Sequence, residues 1–396
     1  MLIGESNSKA PHHTTIRNWV HVKGFHELYR PLEQAADWIA IGDLTIEIGK
    51  VKCLAIVGVR ASKLELREDC TLSHNDVSIL GLYPTEKATA EFCQKSFKHA
   101  RERVGSDFLA IVTDQGPEIK KGVKLFMQEY PTKHLFDIPH KLSLTMKRRL
   151  ENNPVWKNFI GKLAETKKLI QQTDLAALIP PTQRSKGRFM DIEYLIRWPR
   201  RILELYEKGD LAFITEDQYQ KYFGWISTFE LALREWEFMV GVVDLIKETV
   251  RKHGLSKDVY EYLKLILEEL PEVEEKHLQL FVSEGLTAVR EEYEKLQEGE
   301  ELICSTEVLE SIFGKLKEIV LSKQGISGNV LSMGTFVSEK SSEEGVKKIM
   351  ETWTIKSATS WIKGVTGKTI GAMRHQFNMR FKRTKFDSEM AVQNAC

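Results

Sequence analysis

The spacing of apolar positions changes character along the chain, and each change predicts a different element. Residues 38 to 48 alternate and are rich in Ile, as a strand requires, and Gly49-Lys50 reads as a turn. Lys52 to Val59 is a second apolar run, and Lys63 to Asp69 reads as a third extended segment that completes an antiparallel meander. Pro84 opens a predicted helix reaching Val104, with Ala88, Phe92, Phe97 and Ala100 inward. A strand over 108–113, a helix over 117–129 and a short strand from Lys133 to Ile138 follow. Upstream, Thr14 or Thr15 caps a short helix ending at Val20, with Ile16, Trp19 and Val20 on one face. Beyond His140 the pattern is helical for about 160 residues, with a loop over Pro180–Arg188. A further helix spans Ser305 to Lys323, then a Gly- and Ser-rich loop over Gly325–Phe336 and a helical tail after Ser341.

Length and composition narrow the class. A chain of 396 residues, 42% hydrophobic and 29% charged, has room for two or three domains, or one domain with a large insertion. No apolar run approaches a membrane span and the N-terminus lacks a signal pattern, so a cytoplasmic protein with no membrane partner is expected. Five scattered cysteines without a CxxC pair argue against a disulfide scaffold or a zinc ribbon. The net charge of +1 hides a segregation: residues 141–201 and 363–385 are basic, and 204–310 is acid-rich between them. Lys147, Arg148, Arg149, Arg184, Lys186 and Arg188 therefore read as phosphate contacts, the alternative being solvated helix faces.

Three acids stand out against this background. Asp43 shares a strand face with Ile39 and Ile41, where a carboxylate is costly unless it is paired, hydrogen-bonded or bound to a metal. Asp37, outside the strand pattern, does not share that property. Asp114 follows an apolar run and precedes a strand-to-helix turn, the end of a strand at which sites gather in open α/β sheets; its bland alternative is a cap for the next helix. Glu310 borders the apolar face formed by Val308, Leu309, Ile312, Phe313 and Leu316, whereas helical geometry sends Glu307 to the opposite side. Three carboxylates brought together would suit a pair of divalent ions clamping a phosphodiester.

With these residues in order, the chain resembles the DDE/D transposases, whose catalytic core is ribonuclease H-like. The predicted order βββαβαβ, with acids in the first strand and at the end of the fourth, matches that core. Glu310 followed by Lys317 matches the glutamate–lysine part of a signature found in one bacterial insertion-sequence group. That group also carries Tyr and Arg upstream, where this chain has Ile303 and Thr306. Asp137-Ile138-Pro139-His140 matches a Cys/Asp-x-x-His motif of several cut-and-paste superfamilies, including the hobo/Activator type, whose all-α insertion the long helical stretch also resembles.

The resemblance implies an α/β fold, a ribonuclease H-like mixed sheet with a large all-α insertion and a helical C-terminal region. The expected divisions are an N-terminal tail (1–36), the first part of the core (37–140), the insertion (141–300), the glutamate helix completing the core (301–340) and a basic tail (341–396). It further implies Asp43, Asp114 and Glu310 as ligands of two Mg²⁺ or Mn²⁺ ions, cleaving and joining double-stranded DNA at element terminal repeats and a target, by a homo-oligomer on DNA. Lys317 would contact a phosphate and His140 would orient DNA. Residues 14–20 are similar to a recognition helix with Arg17 and Asn18 as DNA contacts. Residues 1–10 are too short and polar to supply its bracing helix, so poor sequence discrimination is expected. The competing readings are a domesticated or truncated DNA-binding derivative and a nuclease of ribonuclease H fold.

Overall fold

A computed structural model of the chain describes residues 10–45, 51–65, 67, 69–182, 190–209, 214–270, 275–319, 326–337, 342–367 and 372–380. The chain divides into two compact units, Met1–Phe136 with Ser305–Cys396, and Asp137–Cys304.

The first unit is mixed α/β. In chain order it contains α1 (His13–Tyr29), β1 (Trp38–Thr45), β2 (Lys52–Arg60), the single turn α2 (Ala61–Leu64), β3 (Ser78–Thr85), α3 (Ala90–Val104), β4 (Ala110–Thr113), α4 (Pro117–Met127) and β5 (Lys133–Phe136). The described strands form one sheet in the order β3-β2-β1-β4-β5, with β1 antiparallel to β2 and parallel to β4. One face is filled by α3 and α4: Trp38, Ala40, Leu54, Ile56 and Ile111 pack with Phe97, Val104, Val123 and Phe126. At about 25 cal/mol per Å² of apolar surface, burial on this scale is the main source of the unit's stability.

Two sequence expectations need correction in this unit. The third strand is Ser78–Thr85, not Lys63–Asp69. Instead, the Asp37 carboxylate accepts a hydrogen bond from the Ser62 amide (2.9 Å) and pairs with Arg60, at the start of the α2 turn. Burial alone would raise the Asp37 pKa, but the bonds from Ser62 and Arg60 outweigh it and hold the carboxyl at about 2. Pro84 does not open a helix: it pairs with Cys53 on β3, the outermost strand, where a missing amide donor is tolerated. The helix starts at Ala90, capped by the Thr89 hydroxyl. The Gly49-Lys50 turn lies outside the described residues.

The second unit is helical, running through α5 (Ile138–Glu151), α6 (Pro154–Ile170), α7 (Met190–Glu207), α8 (Glu216–Phe223), α9 (Glu230–His253), α10 (Lys257–Glu268) and α11 (Lys276–Tyr293). Trp156, Phe159, Trp225, Phe229 and Trp236 form a connected aromatic cluster in its core. The chain then returns to the first unit with α12 (Glu307–Ile319), α13 (Ser332–Phe336), α14 (Glu343–Thr352) and α15 (Ile355–Thr366). The described part of the stretch expected as a loop, residues 326–336 of Gly325–Phe336, thus contains a 3₁₀ turn and a short helix. No helix among the described residues is long and apolar enough to cross a membrane.

Helix α1 also departs from expectation. It has 17 residues rather than seven or so, and its cap is His12, whose ring accepts from the Thr14 amide. Val22, Phe25 and Leu28 continue the three-residue spacing begun by Trp19 and are buried. The helix packs on α13, α14, α15 and β3, so α14 and α15 belong to the same unit as the sheet rather than to a separate tail.

Candidate active site

β1 lies in the middle of the sheet, and its parity decides where Asp43 points. A Cβ on Gly42 would meet Phe97 of α3 at 2.8 Å, so Gly42, like Trp38 and Ala40, faces α3 and α4. Ile39, Ile41 and Asp43 therefore occupy the other face; all three are buried, Asp43 to 2% exposure.

Asp114 follows the last paired residue of β4. β1 and β4 are parallel, with Ile39 opposite Ala110, Ile41 opposite Val112 and Gly42 opposite Thr113. The pairing ends there: β4 stops at Thr113, and Asp114 is the next residue along the chain, at the carboxyl end of the strand beside the one that carries Asp43. Asp114 is not the cap of α4, which is Gly116; its Oδ1 accepts from the Gly116 amide at 3.0 Å and stabilises the strand-to-helix turn. The chain reversal is further braced by Thr113, whose hydroxyl donates to the Asp114 carbonyl (2.9 Å) and meets His134 Nε2 at 2.8 Å. Because that hydroxyl's proton is committed, His134 donates from Nε2. Local sequence carries no signal of this brace, since it depends on β5 lying beside β4.

Glu310 lies in the first turn of α12, a helix in contact with β1. Val308, Leu309, Ile312, Phe313 and Leu316 are buried as the apolar face. Since α3 and α4 fill the opposite face, α12 approaches from the side of Ile39, Ile41 and Asp43. Glu310 is half-buried at the edge of the helix's apolar stripe and Lys317 is exposed. Glu307 is half-buried too, because it is the first residue of the helix, so burial does not separate the two glutamates.

Asp43, Asp114 and Glu310 thus all belong to the first unit, on β1, directly after β4, and on α12, the helix in contact with β1. Three carboxylates are a donor set suited to hard divalent cations. Among the described residues, however, no three His, Cys, Asp or Glu side chains are gathered closely enough to hold a metal ion.

The proposed DNA contacts fare unevenly. Arg17 is exposed and Asn18 half-buried on the first turns of α1. His140 lies in the first turn of α5, where its backbone amide donates to the buried Asp137 carboxylate at 2.7 Å. The Asp-x-x-His spacing is therefore that of an N-cap and its third helical residue. Lys147 and Arg148 are exposed, but Arg149 forms a fork with Glu284 (3.1 and 2.8 Å) and donates to the His277 carbonyl, so its charge is largely engaged within the helical unit. Arg184, Lys186 and Arg188 lie outside the described residues. No protein-family profile matches the chain, and no curated protein matches it.

Proposed function

We propose that this chain is a DDE-type DNA transposase with a ribonuclease H-like core, cleaving DNA at the ends of a mobile element and joining them to a target. The observation that carries this reading is a buried Asp43 on β1 and an Asp114 directly after the parallel neighbour β4, both toward the carboxyl ends of adjacent strands, with the Glu310 helix in contact with β1. The strand order β3-β2-β1-β4-β5 and the helical unit inserted between the second and third acids support it.

Asp43, Asp114 and Glu310 would hold a pair of Mg²⁺ or Mn²⁺ ions, which when bound supply Lewis-acid stabilisation of the phosphoryl oxygens and activate the attacking oxygen. The chain's own contribution is placement. β1 carries the first carboxylate, the turn leaving β4 carries the second, and α12 carries the third on a separate element. Their mutual repulsion favours a spread arrangement until positive charge arrives. Lys317, two turns along α12 from Glu310, would contact a backbone phosphate, and the exposed Lys147 and Arg148 would add non-specific affinity. A homo-oligomer would assemble on paired element ends.

The test is incubation of the full chain with a plasmid carrying the gene's flanking sequences, in Mg²⁺, in Mn²⁺ and with EDTA. Metal-dependent release of the element and joining of its 3′-hydroxyl ends is the expected result. Cutting without joining would favour a nuclease, and binding without cutting would favour a DNA-binding derivative.

A further inference from the structure

Helix α12 is held by more than its apolar face. Between β2 and β3 a 3₁₀ turn, His74–Asp76, projects His74 toward it. The His74 ring meets both Ser311 and Lys315, one helical turn apart: Nε2 lies 3.0 Å from the Ser311 hydroxyl and Nδ1 lies 2.7 Å from the Lys315 ammonium. An ammonium only donates, so Nδ1 must accept, and the ring's single proton in its neutral form must sit on Nε2 and be donated to Ser311. The geometry therefore selects one tautomer of a neutral imidazole.

The turn that carries His74 is itself secured. Asp76 accepts from the Ser73 amide and hydroxyl, both at 2.6 Å, and pairs with Arg67 at 3.0 Å. Asp76 is thus engaged on its own element, and the charged group that α12 turns toward the ring is Lys315. On α12, Ser311 and Lys315 lie on the edge of the helix away from Glu310 and Lys317, with the buried stripe between the two edges. A grip on one edge limits rotation of the helix about its axis, and such rotation would change the direction in which Glu310 points.

We propose that His74 is a positioning residue for Glu310, acting as a neutral Nε2–H clamp on Ser311 and Lys315 that opens when the ring is protonated. Protonation gives Nδ1 a hydrogen, removes its only acceptor site for Lys315, and sets two cations against each other. Burial, and then the nearby Lys315 charge, lower the His74 pKa from the ordinary 6.5. The sign follows: the ring is less readily protonated folded than unfolded. The clamp is therefore complete above about pH 6.5 and is lost as pH falls through the lower folded value. The clamp itself stands on geometry, whereas its importance for catalysis rests on the functional reading of Glu310.

Two kinds of measurement on the full chain keep those apart. Imidazole ¹⁵N spectra at pH 7.5 should report the Nε2–H tautomer. Amide exchange in α12, corrected for its intrinsic pH dependence, should accelerate about fivefold between pH 7.5 and 5, the loss expected for one or two net hydrogen bonds. His74→Ala should show the fast exchange at both pH values, while His74→Gln, whose amide both donates and accepts without titrating, should restore protection and abolish its pH dependence. An Nδ1–H tautomer, or α12 exchange unaffected by His74→Ala, would overturn the clamp. In the plasmid assay, His74→Ala should lower kcat severalfold at unchanged KM, with His74→Gln rescuing it and losing the acidic limb. Full activity of His74→Ala would remove the positioning role. The expected exchange behaviour in a chain that cleaves no DNA would instead defeat the functional reading and leave the clamp standing.

Discussion

Asp43 is buried to 2% exposure beside Ile39 and Ile41. Asp43→Asn, which keeps the size of the side chain and removes its charge, should abolish metal-dependent cleavage, because a neutral amide is a poor ligand for a hard divalent cation. Asp114→Asn and Glu310→Gln should lower cleavage by at least ~100-fold, since even the partners behind a metal's ligands are worth 10–100-fold. DNA affinity should persist in all three, and Glu307→Gln should be nearly neutral. A dead Glu307→Gln enzyme alongside an active Glu310→Gln one would transfer the role to the helix's first residue, whose exposure resembles that of Glu310.

At the scale of elements, α1 and α13 show how closely the first unit is packed. Gly24 of α1 lies where a Cβ would come within 1.7 Å of the Leu331 carbonyl oxygen, and a Cβ on Gly334 of α13 would meet the Gly24 carbonyl at 2.7 Å. Both obstacles are backbone, so no side-chain rotation relieves them. Gly24→Ala should destabilise the first unit by about 2–3 kcal/mol, at the upper end of overpacking costs, as read from urea denaturation. A loss below about 0.5 kcal/mol, the range of an ordinary surface substitution, would mean that α1 is only loosely attached. The Thr335 hydroxyl, which donates to the Val20 carbonyl at 2.7 Å, reinforces the same crossing. An α1 held this way is a structural helix of the sheet's own unit, with Arg17 exposed on its first turns.

Over the whole molecule, charge is less available than the sequence totals suggest. Within the helical unit Arg197 pairs with Asp244, Arg200 with Glu237, and Lys141 with Glu291 and Glu292. These acids come from the acid-rich stretch, so much of the apparent segregation is resolved by pairing. Lys147→Ala with Arg148→Ala should reduce the magnitude of the log–log salt slope of DNA binding by about 2, at roughly 0.9 for each phosphate no longer neutralised. Arg149→Ala should act differently, lowering stability with little change in slope because Glu284 is left without its partner. Equal slopes for the double variant and the parent would exclude that part of α5 from the DNA surface.

Local pattern alone determined much of this architecture. Alternation identified β1 and continuous apolar runs identified β2 and β4, and parity placed Asp43 with Ile39 and Ile41, because strand side chains repeat every two residues whatever lies beside them. The order of strands and helices from β1 to β5, and the helical character of the stretch beyond His140, were legible for the same reason. Tertiary structure decided what depends on partners distant in sequence. Lys63–Asp69 has the texture of a strand, but the edge position went to Ser78–Thr85, where Pro84 is tolerated because one side of the strand has no neighbour in the sheet. Only pairing could set β4 beside β1, only packing could make α1 part of the sheet's unit, and only the approach of Glu284 could engage Arg149. His74 was invisible for the same physical reason: its two partners lie more than 200 residues away on α12, and a hydrogen-bonding side chain carries no periodic signature of whom it will meet.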